Sequence, residues 1–121
     1  MLISHVDLRV RDRARSEAFY NPIMTLLGAT ISRGETFTTW EVDSGGDGDW
    51  LGITEDATLA ANPNRVALLA PSRAVVDAIF AKLGALGARN IEAPDEAYGP
   101  RYYACFFDDP DGNRLEVCAI G

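Results

Sequence analysis

The chain has 121 residues, 47% of them hydrophobic and 24% charged, with eleven glycines and six prolines, which is the profile of one compact globular domain. Its 18 acidic residues outnumber 11 basic ones for a net charge of -7, and with no basic stripe to neutralise phosphates the chain is expected to bind no nucleic acid. Apolar runs are only a handful of residues long and charges fall within the first ten, so no membrane span and no signal peptide is expected and the setting is read as cytoplasmic.

In the opening run, Val6, Leu8 and Val10 alternate with His5, Asp7 and Arg9, the pattern of a strand with one face on a core and the other toward a polar cleft or solvent. Ala14, Ala18, Phe19, Ile23, Leu26 and Leu27 then recur at helical spacing. Pro22 predicts a kink, with Asn21 capping a short second segment. Two strand-like runs follow, and after a connector from Asp43 to Asp49 with three glycines, Leu51 and Ile53 alternate with Trp50, Gly52 and Thr54. The next strand sets Val66, Leu68 and Ala70 against Arg65, Ala67 and Leu69. Ser72 is placed to cap a helix whose apolar stripe is Val75, Val76, Ile79, Phe80, Leu83 and Leu86, ending near Gly84 or Gly87.

Glu92 to Pro100, with two prolines and a glycine, reads as a loop over the mouth of a cleft or a plain connector. The run Asp108-Asp109-Pro110-Asp111-Gly112-Asn113 predicts a tight connection, because Pro fixes φ and Asp-Gly tolerates positive φ. Its alternate oxygens resemble a calcium loop, yet the spacing, the later Gly and the closing Glu of such a loop are missing. In the last strand Leu115, Val117 and Ala119 face opposite to Arg114, Glu116 and Cys118. Cys105 and Cys118 lie in strand-like runs without motif spacing, which predicts buried reduced thiols.

Taken together these elements are said twice, as βαβββ over residues 4–54 and again over 64–118. Each half, at about 60 residues, would be marginal alone, so the expectation is one domain spanning 1–121, built from a first module, 1–61, and a second, 62–121. Sliding one half onto the other puts His5 over Arg65 and Gly52 over Glu116, and alternation sets all four on one face. With a single His in the chain, no Ser-His-Asp or Cys-His arrangement is proposed.

The segment Tyr98-Gly99, Arg101, Tyr102, Tyr103 and FFDDPDGNRLEV, together with HVDLRVRDRARSEAFY and the helix ending LLGA, resembles the vicinal oxygen chelate superfamily, the glyoxalase, bleomycin-resistance and dioxygenase group. The resemblance covers nearly the whole chain, and DPDGN-x-x-E is its most specific piece. It implies an α+β fold of two βαβββ modules, each curling into a half-open barrel, and a homodimer. In metal-dependent members it also implies a divalent ion held by the first and last strands of each module, acting as a Lewis acid on two neighbouring substrate oxygens.

Carried over by position, His5 fits the first ligand place and Glu116 the last, which makes them the candidate metal ligands and catalytic groups. Arg65 stands where the family usually has His, and Gly52 stands at the fourth place. A guanidinium has no lone pair for a metal and repels a cation. Glu55 should point to the helix side, and Glu41 lies on the third strand, where a register shift or bulge could bring it inward. Two further readings of the site follow. Arg65 and Glu116 form an ion pair that locks the modules together, or Arg65 holds the carboxylate or phosphate of a ligand with His5, Trp50 and Tyr102 or Tyr103 lining the rest. Trp40, Trp50, Tyr102 and Tyr103 equally fit a barrel interior or dimer contact. The function expected is therefore a glyoxalase-like protein that binds or acts on a small molecule in a concave cleft, with an incomplete metal site. The alternative is a metal-dependent lyase or dioxygenase, lactoylglutathione-lyase-like, using His5 and Glu116.

Overall fold

The computed structural model describes residues 3–42 and 49–121, so most of the glycine-rich connector expected from Asp43 to Asp49 lies outside the described residues. The chain divides into two compact units, Met1–Ala60 and Ala61–Gly121. The first holds β1 (His5–Val10), α1 (Arg13–Leu26), β2 (Ala29–Arg33), β3 (Phe37–Val42) and β4 (Trp50–Glu55). The second repeats the order as β5 (Arg65–Leu69), α2 (Arg73–Leu86), β6 (Arg89–Asp95), β7 (Tyr102–Asp108) and β8 (Arg114–Ile120). Each forms a four-stranded sheet, β1-β4-β3-β2 and β5-β8-β7-β6, in which the first strand pairs parallel with the last and the rest are antiparallel. This is the α+β, twice-repeated βαβββ architecture read from the sequence.

Caps account for where the helices start. Asp12 accepts from Arg15 N–H at 3.0 Å and Ser72 from Val75 N–H at 3.2 Å, each satisfying an amide that the first turn leaves unpaired. α2 stops at Gly87, whose φ of 90° lets Ala88 N–H reach the Leu83 carbonyl at 3.0 Å. α1 departs from expectation in two ways. It runs unbroken through Pro22, and Asn21 caps nothing: its side-chain oxygen accepts from Trp40 Nε1 at 3.0 Å. The missing Pro22 amide breaks one intrahelical bond, but Trp40, Tyr20 and Ile23, all fully buried, pack this stretch of helix onto the sheet. The buried stripe of α1 is also rotated, comprising Ser16, Phe19, Tyr20, Ile23 and Met24, while Ala14 and Ala18 are exposed.

The second unit matches its pattern more closely. Val76, Ile79 and Leu83 of α2 are fully buried, as are Cys105, Phe107, Leu115 and Val117 on the neighbouring strands. Full burial of two Leu and an Ile contributes roughly 1.5–3 kcal/mol per side chain. The expected loop from Glu92 is shorter than read, since Glu92–Asp95 belongs to β6. Two register irregularities against β7 let this Pro-containing segment remain a strand at the sheet edge.

The Asp-rich connection is built around Asp109. This buried carboxylate accepts from Asp111 N–H at 2.8 Å, Asn113 N–H at 2.9 Å and Asn113 Nδ2 at 2.9 Å, while Gly112 takes a φ of 90°. Its oxygens are therefore spent on the turn itself, and they set the register in which β8 returns beside β7. Among the described residues no helix is long and apolar enough to cross a membrane.

Candidate functional site

Strand register decides which side chains share the face of each sheet turned away from its helix. In the second unit Ala67 pairs with Glu116 and Glu116 with Phe106, while Leu69, Cys118 and Ala104 form the next row and Ile120 and Tyr102 the row after. Arg65, Arg114 and Asp108 complete the face on the other side. In the first unit His5 pairs with Trp50 and Trp50 with Glu41, and the next row is Asp7, Gly52 and Thr39. The two registers agree that His5 corresponds to Arg65 and Gly52 to Glu116. Glu41 is in phase with His5 across an unbroken ladder, without any register shift or bulge. Glu55 points the other way as expected, accepting from Arg13 N–H at 2.9 Å at the start of α1.

The centre of the second unit's face is a carboxylate with both oxygens engaged. Arg65 Nε lies 3.2 Å from Glu116 Oε1 in an ion pair, and the Tyr102 hydroxyl donates to Glu116 Oε2. Glu116 is 2% exposed, whereas the Arg65 side chain is 43% exposed and lies over it. Both partners belong to the second unit, so the pair joins β5 to β8 and does not lock two modules together as expected. Burial, then hydrogen bonds to Cys118 and Glu116, push the Tyr102 hydroxyl upward from its ordinary pKa, which keeps it protonated and donating.

Aromatic residues frame this pair. The Arg65 guanidinium sits 5.0 Å from the Phe106 ring centroid and Nη2 donates to the Tyr98 hydroxyl at 3.3 Å. Tyr98 makes edge contacts to Tyr102 at 5.4 Å and to Phe106 at 6.1 Å. Arg114 lies 6.0 Å from the Phe106 ring centroid and bonds Asp108 at 3.1 Å and Glu92. Tyr98, Phe106 and Arg114 were not singled out as site residues. Phe106 and Arg114 were accessible by alternation from Tyr102 and Glu116, whereas Tyr98 sits on a connecting turn and no period predicts where its ring goes.

Tyr103 is placed elsewhere. Adjacent to Tyr102 and so on the opposite face, it donates to Asp77 of α2 at 2.6 Å, a bond that raises its pKa, and it stacks under Arg73 at 4.9 Å. Cys105 also faces the helix, and burial pushes its thiol up to about 11. Cys118 lies on the sheet's other face with Ala104 and Phe106, so the two free thiols are separated by the sheet.

The first unit's face has a different construction. The His5 and Trp50 rings stack with centroids 3.9 Å apart and planes within 2°, and Ser4 Oγ lies 2.6 Å from His5 Nδ1. A Cβ added to Gly52 would sit 2.9 Å from the Trp50 ring and 3.2 Å from Asp7 Oδ1. Trp50 thus lies over the spot where the second unit has Glu116, and only glycine leaves it room. Asp7 accepts from Thr54 Oγ1 at 2.8 Å. Trp40 is fully buried on the helix side.

The repeated βαβββ units, each with its sheet face turned away from its helix, define an α+β fold class shared by one superfamily. The Glyoxalase/Bleomycin resistance protein/Dioxygenase superfamily model matches residues 2–117, and the chain belongs to that superfamily. A glyoxalase/bleomycin resistance protein from Albidiferax ferrireducens T118 is similar in structure, with a TM-score of 0.83, 23% identity and full coverage of both chains. So are two fosfomycin resistance proteins. The one from Listeria monocytogenes has a TM-score of 0.75 at 22% identity over 100% of this chain and 94% of that one. The one from Mesorhizobium loti has a TM-score of 0.71 at 21% identity over 98% and 92%. At these identities the likeness is one of fold. No functionally curated protein matches the chain in sequence.

Members of the superfamily are often metal-dependent. Among the described residues, the donors at the positions of the family's ligands do not fit a resident divalent ion. Arg65 offers a charge of the wrong sign and no lone pair, Glu116 has its two oxygens committed to Arg65 and Tyr102, and Gly52 offers no donor atom. Among the described residues no group of three or more His, Cys, Asp or Glu gathers as ligands would.

Proposed function

We propose that this chain is a small-molecule-binding member of the superfamily that works without a resident metal, taking its ligand on the face of the second unit that carries Arg65, Tyr102 and Glu116. One observation supports the reading above all others. The Glu116 carboxylate, at the place of a family metal ligand, is 2% exposed and already neutralised by Arg65. A cation entering there would have to displace a guanidinium and overcome its repulsion, with no third donor among the described residues to offset the loss of water.

In this reading Arg65, Tyr98 and Tyr102 contact the ligand, and Glu116 positions Arg65 and Tyr102. The stacked His5 and Trp50 rings offer an aromatic plate on the first unit, suited to a planar group. Tyr103, turned to α2, supports the sheet from behind. Small-molecule binding and frequent dimerisation are properties of the superfamily. A homodimer in the cytoplasm is the corresponding expectation for this chain, and gel filtration with light scattering tests the first part.

The deciding experiment is metal analysis of protein purified without chelators, followed by calorimetric titration with Ni, Zn, Mn and Fe(II). The wild type is expected to bind none of them stoichiometrically, and Arg65→His, which replaces the cation with an imidazole lone pair beside Glu116, is expected to gain affinity. Stoichiometric wild-type binding that disappears in Glu116→Ala overturns the proposal and restores the metal-dependent lyase or dioxygenase using His5 and Glu116.

A further inference from the structure

The ligand of this face can be narrowed by asking what a molecule approaching it would meet. Arg65 covers Glu116, and the two differ in exposure, 43% against 2%, so the charge presented outward is the guanidinium and not the carboxylate. Beyond it, on the same face and still within the second unit, runs an apolar strip. Leu69 is 65% exposed, Ile120 62% and Tyr98 59%, over a floor of Ala104 and Cys118. Leu69 is four residues along β5 from Arg65, about 13 Å at 3.3 Å per residue, and strand alternation keeps both on one face. Large apolar side chains this exposed on the face that also carries a guanidinium are the complement of an amphipathic anion.

Resting on the metal-free reading above, we infer that the second unit binds a monoanionic amphiphile, a carboxylic acid with an extended apolar body. Its carboxylate sits at the Arg65 guanidinium and its body lies along Leu69, Ile120 and Tyr98. The same carboxylate would accept from the Tyr98 hydroxyl, which already bonds Arg65 Nη2 at 3.3 Å. A cationic amphiphile meets the guanidinium as a like charge. A neutral one gains the apolar contact alone.

Decanoate, decanol and decyltrimethylammonium, all below their critical micelle concentrations, form the test set, titrated by calorimetry into the full chain with and without EDTA. Decanoate is expected to bind at least tenfold tighter than either of the others, unaffected by EDTA. Arg65→Gln should remove that preference and Arg65→Lys should keep most of it. Because Arg65→Gln strips a buried carboxylate of its ion pair and risks unfolding, Leu69→Glu is the second variant. It leaves the pair intact and should weaken decanoate at least tenfold by placing a like charge on the strip. Equal binding of the three probes, preference for the cation, or no binding with or without EDTA overturns the amphiphile inference and leaves the metal-free reading standing. Decanoate binding abolished by EDTA overturns the metal-free reading itself.

Discussion

Removing the guanidinium with Arg65→Ala isolates the interaction on which the site depends. At 3.2 Å and an effective dielectric of about 20, the gross attraction between the two charges is about 5 kcal/mol. Arg65 is 43% exposed, so water screens much of this, and an exposed ion pair would retain only about 0–1 kcal/mol. The buried partner raises the figure, because leaving a buried polar group without its partner costs about 1–3 kcal/mol and Glu116 would be left with Tyr102 alone. The expected destabilisation is about 2 kcal/mol, or a fall in Tm of about 8 °C for a chain of this length. Urea and thermal unfolding followed by circular dichroism at pH 7 read it directly. In a Glu116→Gln background, where no charge is stranded, the same substitution should cost under about 0.5 kcal/mol, and the difference is the coupling. A single-mutant cost below about 0.5 kcal/mol, or an equal cost in both backgrounds, would refute the claim that Arg65 neutralises a buried carboxylate.

Gly52→Ala drives a methyl to 2.9 Å from the Trp50 ring and should cost about 1–3 kcal/mol of stability in urea, largely relieved when Trp50→Ala is added; an unchanged midpoint would mean the ring is not held over Gly52. Asp109→Ala orphans three donors at the turn before β8 and should cost about 3 kcal/mol or more, with Asp109→Asn milder because its oxygen still accepts the two amides. Denaturation midpoints separate the two. Cys105 should resist a thiol reagent at pH 8 in folded protein and react on unfolding. Since its folded pKa is raised from 9.0 to about 11, its contribution to stability is complete below pH 9 and is lost as pH rises toward 11, visible as a falling Tm across that window unless the thiol is exposed.

What was legible in the sequence followed from periodicity. Alternation put His5, Arg65, Gly52 and Glu116 on the faces away from the helices, and the registers agree, because a strand's side chains have only two directions to take. The same rule holds Tyr103 against α2, where its neighbour Tyr102 cannot be, so of the two tyrosines offered for the site only Tyr102 can line it. Ser72 was readable as a cap because the hydroxyl and the amide it serves are three residues apart. The kink expected at Pro22 is absent because the Trp40 to Asn21 bond ties the helix to the sheet from 19 positions away, beyond any local window. The reach of Tyr98 from its turn to Arg65 escaped for a related reason, as torsions outside regular elements carry no period.

The glycine at position 52 shows how absence of a ligand can be a constructed feature. A strand glycine on a polar face suggests a close approach by something else, and here the neighbour two residues back supplies it, with Trp50 folded over the bare backbone and stacked on His5. In the second unit the corresponding carboxylate is kept, but Arg65 takes its charge. On the metal-free reading proposed above, the two units depart from a metal-binding pattern by unlike means, one by filling the place with an aromatic ring and the other by pairing the donor with a guanidinium. A single substitution can reverse only the second, since Arg65→His restores a lone pair, whereas any side chain at position 52 must first move Trp50. That asymmetry makes the second unit the place where metal affinity would reappear first.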